Sequence, residues 1–328
     1  MPDRRSLVSS TVGIYLAAAK DASAVSHRIA MALRAPGYFY REHGYTYTIS
    51  LTPLLHGSGV ATLYLSDNDW DEDEPYLCAA FQAYNYELTI ELGNVPASLR
   101  GEILERLGRL IFDHLMKLGC PLAFGDDTNI VADYLPGRGV REFPADTSWD
   151  KRDRDTWYEP ALHSPDAELS PSHDRPTPPS GSMSVFETDG LIQIVPRVRD
   201  TTDRSHAVAP VASMRGSVDP LVFGRTLAEA LSSSGQVDLV EGVDPWSWVT
   251  GTSRLNVEQF SRSAVSVDLE LTGQSLIAIP RVPYLGSTTS IAQGTSVDEL
   301  AVNDSRSWDD QAIGETILNL INSVRLGS

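Results

Sequence analysis

The chain has 328 residues, with 26 Lys and Arg against 44 Asp and Glu, a formal net charge of −18. Hydrophobic residues at 41% and charged residues at 21% are ordinary for a folded chain and exclude a disordered one. The length suggests two domains. No apolar run approaches the roughly 20 residues that a membrane-spanning helix needs. No small-residue cleavage site follows the short apolar stretch near the N-terminus, so no signal peptide is expected. Two cysteines, Cys78 and Cys120, are too few for a disulfide framework or a thiolate zinc cage. The expectation is a cytoplasmic protein. Its acidic excess disfavours direct binding to nucleic acid or to anionic membranes and favours cationic partners.

Val12 to Leu33 is Ala-rich and mostly apolar, with Pro36-Gly37 as a stop, and predicts one or two helices. Residues 45–51, 60–65, 77–81 and 86–92 are rich in β-branched and aromatic side chains and predict strands. Over 98–118 the spacing predicts a helix with Leu99, Ile103, Leu107, Leu110, Ile111 and Leu118 on one face, capped by Ser98 and ended by Gly119. Residues 129–135 predict one more strand. The segment 1–160 is therefore expected to be an acidic α+β domain. The stretch 161–182 is rich in proline and serine and predicts an extended linker, with a second domain over 183–328.

The second domain contains an internal repeat. Residues 184–198 (SVFETDGLIQIVPRV) resemble 266–282 (SVDLELTGQSLIAIPRV). Each predicts a strand, a tight turn at Asp189-Gly190 or Thr272-Gly273, and a second strand ending in Pro-Arg-Val. Downstream of each comes a predicted helix, 219–234 and 309–324, with Gly224 matching Gly314 and Leu227 matching Ile317. The expected class is α+β in two domains, the C-terminal one a pseudo-two-fold repeat of β-hairpin plus helix. A glycine costs a helix about 1 kcal/mol relative to Ala, so the matched pair predicts close packing of each helix on the sheet.

Motifs for catalysis are missing. Gly57-Ser58-Gly59 lacks the third glycine of a dinucleotide loop, and there is no Gly-x-Ser-x-Gly elbow, Walker loop or His-Glu-x-x-His. No cofactor and no metal are expected. The run 67–74 (DNDWDEDE) places the carboxylates of Asp67, Asp69, Asp71, Glu72, Asp73 and Glu74 around Trp70. As a calcium loop starting at Asp67 it fails, with Glu72 where glycine belongs and Cys78 at the last ligand. It can be a solvated loop, or a docking surface in which charge speeds encounter and the indole supplies buried area. Trp246 and Trp248, after Asp244-Pro245, form a second aromatic candidate for an interface. The alternative, an enzyme with a dispersed site, would draw on His114, Asp126, Asp127 and Asp133.

Three segments carry a family resemblance: the opening SVFETDGLIQIVPRV, Asp219-Pro220 with Gly224-Arg225-Thr226-Leu227, and Ala312-Ile313-Gly314-Glu315-Thr316-Ile317. In these the second half resembles the immunity proteins of bacterial contact-dependent growth inhibition systems. The resemblance implies a two-fold strand-and-helix fold that binds and blocks the toxic C-terminal domain of a large secreted effector, often a nuclease. It transfers no catalytic residue. The first half is compatible with a second immunity-like module. A secretion chaperone for a basic effector is a second reading of the same acidic composition.

Overall fold

The computed structural model describes residues 11–18, 21–41, 44–50, 60–68, 84–93, 95, 97–126, 128–145, 147–149, 174–176, 180–199, 205–234, 244–272, 275–281, 298–301 and 307–327. It is a mixed α+β structure with six α-helices among these residues. Two compact units divide the chain: Met1–Leu33 with Glu42–Ser170, and Arg34–Arg41 with Pro171–Ser328. The second unit thus takes eight residues from within the stretch expected to form the first domain.

The first unit contains β1 (Val12–Leu16), α1 (Ala22–Ala32), then, after β2 (Gly37–Arg41) of the second unit, β3 (Gly44–Ser50), β4 (Val60–Asp67) and β5 (Tyr86–Leu92). Helix α2 (Ala97–Leu115), β6 (Leu122–Gly125), β7 (Ile130–Leu135) and β8 (Gly139–Glu142) follow. Its strands run antiparallel in the order β3-β4-β5-β1-β6-β7-β8. Val12 to Leu16 is a strand and not the helix expected there. All five residues are buried, flanked by β5 and β6. The helix starts only after Asp21, whose carboxylate accepts from the Ala24 amide at 3.1 Å.

Helix α2 packs against β1, β5 and β6 through Leu104, Leu107, Ile111, Phe112 and Leu115, all fully or almost fully buried. This stripe is rotated from the expected one. Leu99 is 49% exposed, and Ile103, Leu110 and Leu118 are only half-buried. The spacing of three and four that meets the sheet begins at Leu104, one residue later than Ile103. Gly119, in a left-handed conformation at φ 71, ends the helical segment as expected. The strand expected at 77–81 lies outside the described residues.

Beside β7, Trp149 is buried edge-on to Tyr15 with ring centroids 5.2 Å apart, and its indole N–H donates to the Asp126 carbonyl at 2.7 Å. Trp149→Phe keeps a ring but strands that carbonyl. It is expected to cost about 2 kcal/mol, read as a lower urea midpoint with unchanged slope.

The second unit contains β2, β9 (Asp174–Pro176), β10 (Gly181–Thr188), β11 (Leu191–Arg199), β12 (Ser205–Ala207) and β13 (Val211–Arg215). Next come α3 (Pro220–Ser234), α4 (Pro245–Ser253), α5 (Val257–Ser263), β14 (Val265–Thr272), β15 (Ser275–Arg281), β16 (Asp298–Ala301), β17 (Ser307–Asp309) and α6 (Asp310–Gly327). Its sheet runs β16-β15-β14-β10-β11-β13-β2, with β12 beside β11 and a separate β9–β17 pair. Among the described residues, every pairing in this unit is antiparallel except that of β13 with β2. Part of the expected linker is therefore ordered strand, in β9 and the start of β10. Residues 161–173 and 177–179 lie outside the described residues.

Both expected hairpins are present. The first turns through Asp189 and Gly190 at φ 50 and 74; the turn residues of the second, 273 and 274, lie outside the described residues. Pro196 stands opposite Met183, and Pro280 opposite Val267, so the two prolines hold the same place in their hairpins. The hairpins join through β10 and β14, with Ser184 opposite Asp268 and Val185 opposite Val267.

Helices α3 and α6 lie against the hairpins and against each other. A Cβ on Gly224 would stand 1.8 Å from the Asp310 carbonyl oxygen, and one on Gly314 would stand 1.9 Å from that of Pro220. Each glycine meets the residue four places before the other. The expectation of helix-to-sheet packing is corrected: these glycines let two helices touch. Arg225 pairs at 3.5 Å with the buried carboxylate of Asp310 across the same contact.

Candidate interaction surface

Side chains alternate across a strand, so the second unit's sheet has two faces. Gly181 backs onto Leu231 and Ser234 of α3, which places Met183 and Val185 on the α3/α6 side. Phe186 points the other way. There it joins an aromatic cluster with Trp246 of α4 and Phe260 of α5, at centroid distances of 5.8 and 5.3 Å; Trp246 and Phe260 are 6.4 Å apart. Val195, Val211, Val249 and Ala264 pack into the same cluster.

Capping residues determine where these two short helices begin. Asp244 accepts from the Trp246 amide at 3.0 Å, with Pro245 in the first turn of α4. Asn256 and Gln259 form a reciprocal capping box on α5. Gln193 of β11 donates to Thr252 Oγ1 at 2.7 Å and so ties α4 to the sheet. Trp246 is left 38% exposed. Trp248, two residues on, is half-buried and donates its indole N–H to Ser213 Oγ at 3.0 Å. Of the two tryptophans, one is held in the structure and one is presented to solvent.

A charged cluster lies on the same face, starting at Ser184, two residues before Phe186. Ser184 Oγ donates to Asp268 Oδ1 at 2.6 Å and accepts from Arg197 Nη1 at 3.0 Å. Arg197 also reaches Asp268 Oδ1 at 3.4 Å, and Arg281 Nε donates to Asp268 Oδ2. The arginines of the two Pro-Arg-Val segments therefore converge on one carboxylate. Arg199 and Glu270 pair at 2.9 Å beside them. Asp268→Ala would leave the two guanidinium groups facing each other. Both are about a third exposed, so water screens them, and the expected loss is about 1 kcal/mol. A urea titration at low and high salt checks this, with the smaller difference from wild type expected at high salt.

The other sequence candidates fall as follows. Asp67 is exposed at the end of β4. Asp69, Trp70, Asp71, Glu72, Asp73 and Glu74 lie outside the described residues, as does Asp127. His114 Nδ1 is 2.8 Å from the Leu110 carbonyl, one turn back in its own helix. Asp126 Oδ1 accepts from the Thr128 and Asn129 amides at 2.9 and 2.7 Å, which closes a turn. Asp133 is buried in β7. His114 lies in α2, Asp126 in the turn between β6 and β7 and Asp133 in β7, and the side-chain bonds given for His114 and Asp126 stay within their own turns. Among the described residues, no group of three His, Cys, Asp or Glu side chains is placed to hold a metal ion, and no helix is long and apolar enough to cross a membrane.

Sequence reasoning missed the Asp268 cluster. Its signal was available, because an arginine recurs beside the proline in both hairpins, but the carboxylate between them shows only when β10 and β14 are paired.

No family model matches the chain, and no curated protein matches it. Among solved structures it is similar to a protein of unknown function, NMB0488, from Neisseria meningitidis. That likeness covers 44% of this chain and 94% of the other, at 16% sequence identity and a TM-score of 0.34.

Proposed function

We propose that this is an immunity protein that acts in the cytoplasm. It binds the toxic C-terminal domain of a contact-dependent inhibition effector, a basic nuclease, and neutralises it by stoichiometric occlusion. The second unit is read as a pseudo-two-fold repeat of β-hairpin plus helix, as in that family. The observation that carries the proposal is Trp246, an exposed indole braced by Phe186 and Phe260 on a capped helix that is hydrogen-bonded to the sheet. Rigid aromatic side chains of this kind anchor protein interfaces at low entropic cost. The net charge of −18 supports a cationic partner and fast encounter with it. The resemblance carried by the three segments of the second half supplies the effector class.

The test is co-expression with the C-terminal domain of a large secreted effector, sought among the genes that neighbour this one in its source genome. Growth is expected to be rescued by the wild type. Trp246→Ala should weaken the purified complex at least tenfold, about 1.4 kcal/mol or more, with binding read at a temperature where the free variant, which also loses its contacts with Phe186 and Phe260, stays folded. Rescue without a complex, or a complex indifferent to Trp246, would count against this reading.

A further inference from the structure

Arg197 and Arg281 meet at one carboxylate because the two hairpins place their residues alike. Ser184 of β10 stands opposite Val195, the residue before Pro196, and Asp268 of β14 stands opposite Ile279, the residue before Pro280. These two central residues face each other where β10 and β14 pair. Each arginine in turn lies opposite a serine, Arg197 opposite Ser182 and Arg281 opposite Ser266. The places match and the charges do not. Two guanidinium groups share one carboxylate, because Ser184 holds in the first hairpin the place that Asp268 holds in the second. Arg199 and Glu270 beside them balance each other. Among the described residues the cluster therefore carries one cation in excess, in a chain whose formal net charge is −18.

The same cluster keeps hydrogen-bond donors in reserve. Arg197 uses Nη1, toward Ser184 and Asp268, and Arg281 uses Nε. Among the described residues no protein acceptor meets Nε or Nη2 of Arg197, or either Nη of Arg281. Both guanidinium groups are about a third exposed, whereas Ser184 is buried and Asp268 largely so. Solvent thus reaches the arginines more than the groups that hold them. A guanidinium already held in place has given up rotamer freedom before a ligand arrives, and its fork makes strong charge-assisted bonds to an oxyanion. We propose that this cluster is a binding site for one carboxylate, taken by the spare donors of Arg197 and Arg281 beside Ser184. A carboxylate matches the excess of one cation, where a phosphate would bring close to a second charge. Asp268 shows that the carboxylate group suits this pair. Its source is a small acid or an Asp or Glu side chain of a protein partner, and the recognition chemistry is the same.

The test titrates the full-length protein, carrying 15N-labelled arginine, with sodium acetate and separately with sodium chloride at matched ionic strength. The arginine Nε–H resonances are followed by NMR and assigned with Arg197→Gln and Arg281→Gln. Saturable shifts of both resonances with acetate, and not with chloride, are expected. Ser184→Asp supplies the missing charge from within the chain, so the acetate dissociation constant should rise at least tenfold. Arg281→Gln removes half of the site and should weaken acetate binding as read on Arg197, which decides the matter if Ser184→Asp does not fold. Shifts that grow linearly and equally with both salts, or acetate binding unchanged in these variants, overturn the proposal. A second arm identifies the source. Weakening of the effector complex at least tenfold by Arg281→Gln and Ser184→Asp assigns the carboxylate to the partner; an unchanged complex, or none, assigns it to a small acid.

Discussion

Gly224→Val and Gly314→Val are each expected to destabilise the second unit by more than about 4 kcal/mol, enough to unfold it at ambient temperature. The new Cβ would stand 1.8 or 1.9 Å from a backbone carbonyl oxygen. Such an oxygen cannot swing aside like the end of a side chain, so the helices α3 and α6 must part along their whole contact. Even Gly224→Ala should destabilise, although alanine favours a helix by about 1 kcal/mol over glycine. Gly251 in α4 provides the contrast. A Cβ added there would meet nothing within 4 Å, and Gly251→Ala should stabilise by up to about 1 kcal/mol. The double variant Gly224→Ala/Gly314→Ala should cost less than the sum of the singles, because the first substitution already separates the helices that the second would separate. Urea denaturation of these variants and of Gly314→Ala beside the wild type reads all four effects.

Acid should destabilise the first unit through His27. This histidine of α1 is fully buried, and burial lowers its pKa from the ordinary 6.5 to about 4. The folded protein therefore resists protonation there while the unfolded chain accepts the proton. Between those two values the unfolded state binds more protons, so stability rises with pH and is lost as pH falls. The contribution is fully present above about pH 6.5 and gone near pH 4, and amounts to about 3 kcal/mol over that window. Carboxylates titrate in the lower part of the same range, so the wild type alone does not isolate it. His27→Gln removes the titration, and the difference in urea midpoint between the two proteins should shrink as pH falls from 7 to 4.

Much of the second unit was legible because local and long-range signals agree there. Period-two apolar strands flank Asp189-Gly190, and both helices carry glycine, threonine and an aliphatic residue at matching places. The first unit was less legible. Val12 to Leu16 was absorbed into the Ala-rich stretch after it, since burial on both faces erases the alternation that marks a strand. The α2 stripe was misplaced because apolar residues at both Ile103 and Leu104 allow two faces, and only the sheet selects one. Strand β2 begins at Gly37, where the Pro36-Gly37 pair reads as a stop. Its partner lies more than 170 positions away, and no local pattern announces a parallel pairing across that distance.

The candidate surface divides along the same line. Trp246 and Trp248 stood out as aromatic residues in a polar setting, and the structure places them on one helix. Which one faces solvent was not legible, because the Asp244 cap and the Ser213 hydroxyl set the rotation of that helix. Asp268 looked like an ordinary strand carboxylate. Its meaning lies in Arg197 and Arg281, which approach it from opposite hairpins.

The most direct measurement of the proposed function is a calorimetric titration of the purified effector C-terminal domain with the full-length protein, with the effector's activity assayed at each addition. Stoichiometric occlusion predicts saturable heat at a fixed ratio, activity falling linearly to zero at that ratio, and both effects lost or displaced in Trp246→Ala. Activity that persists at saturation, or turnover of the effector's substrate or product by this protein itself, would contradict it.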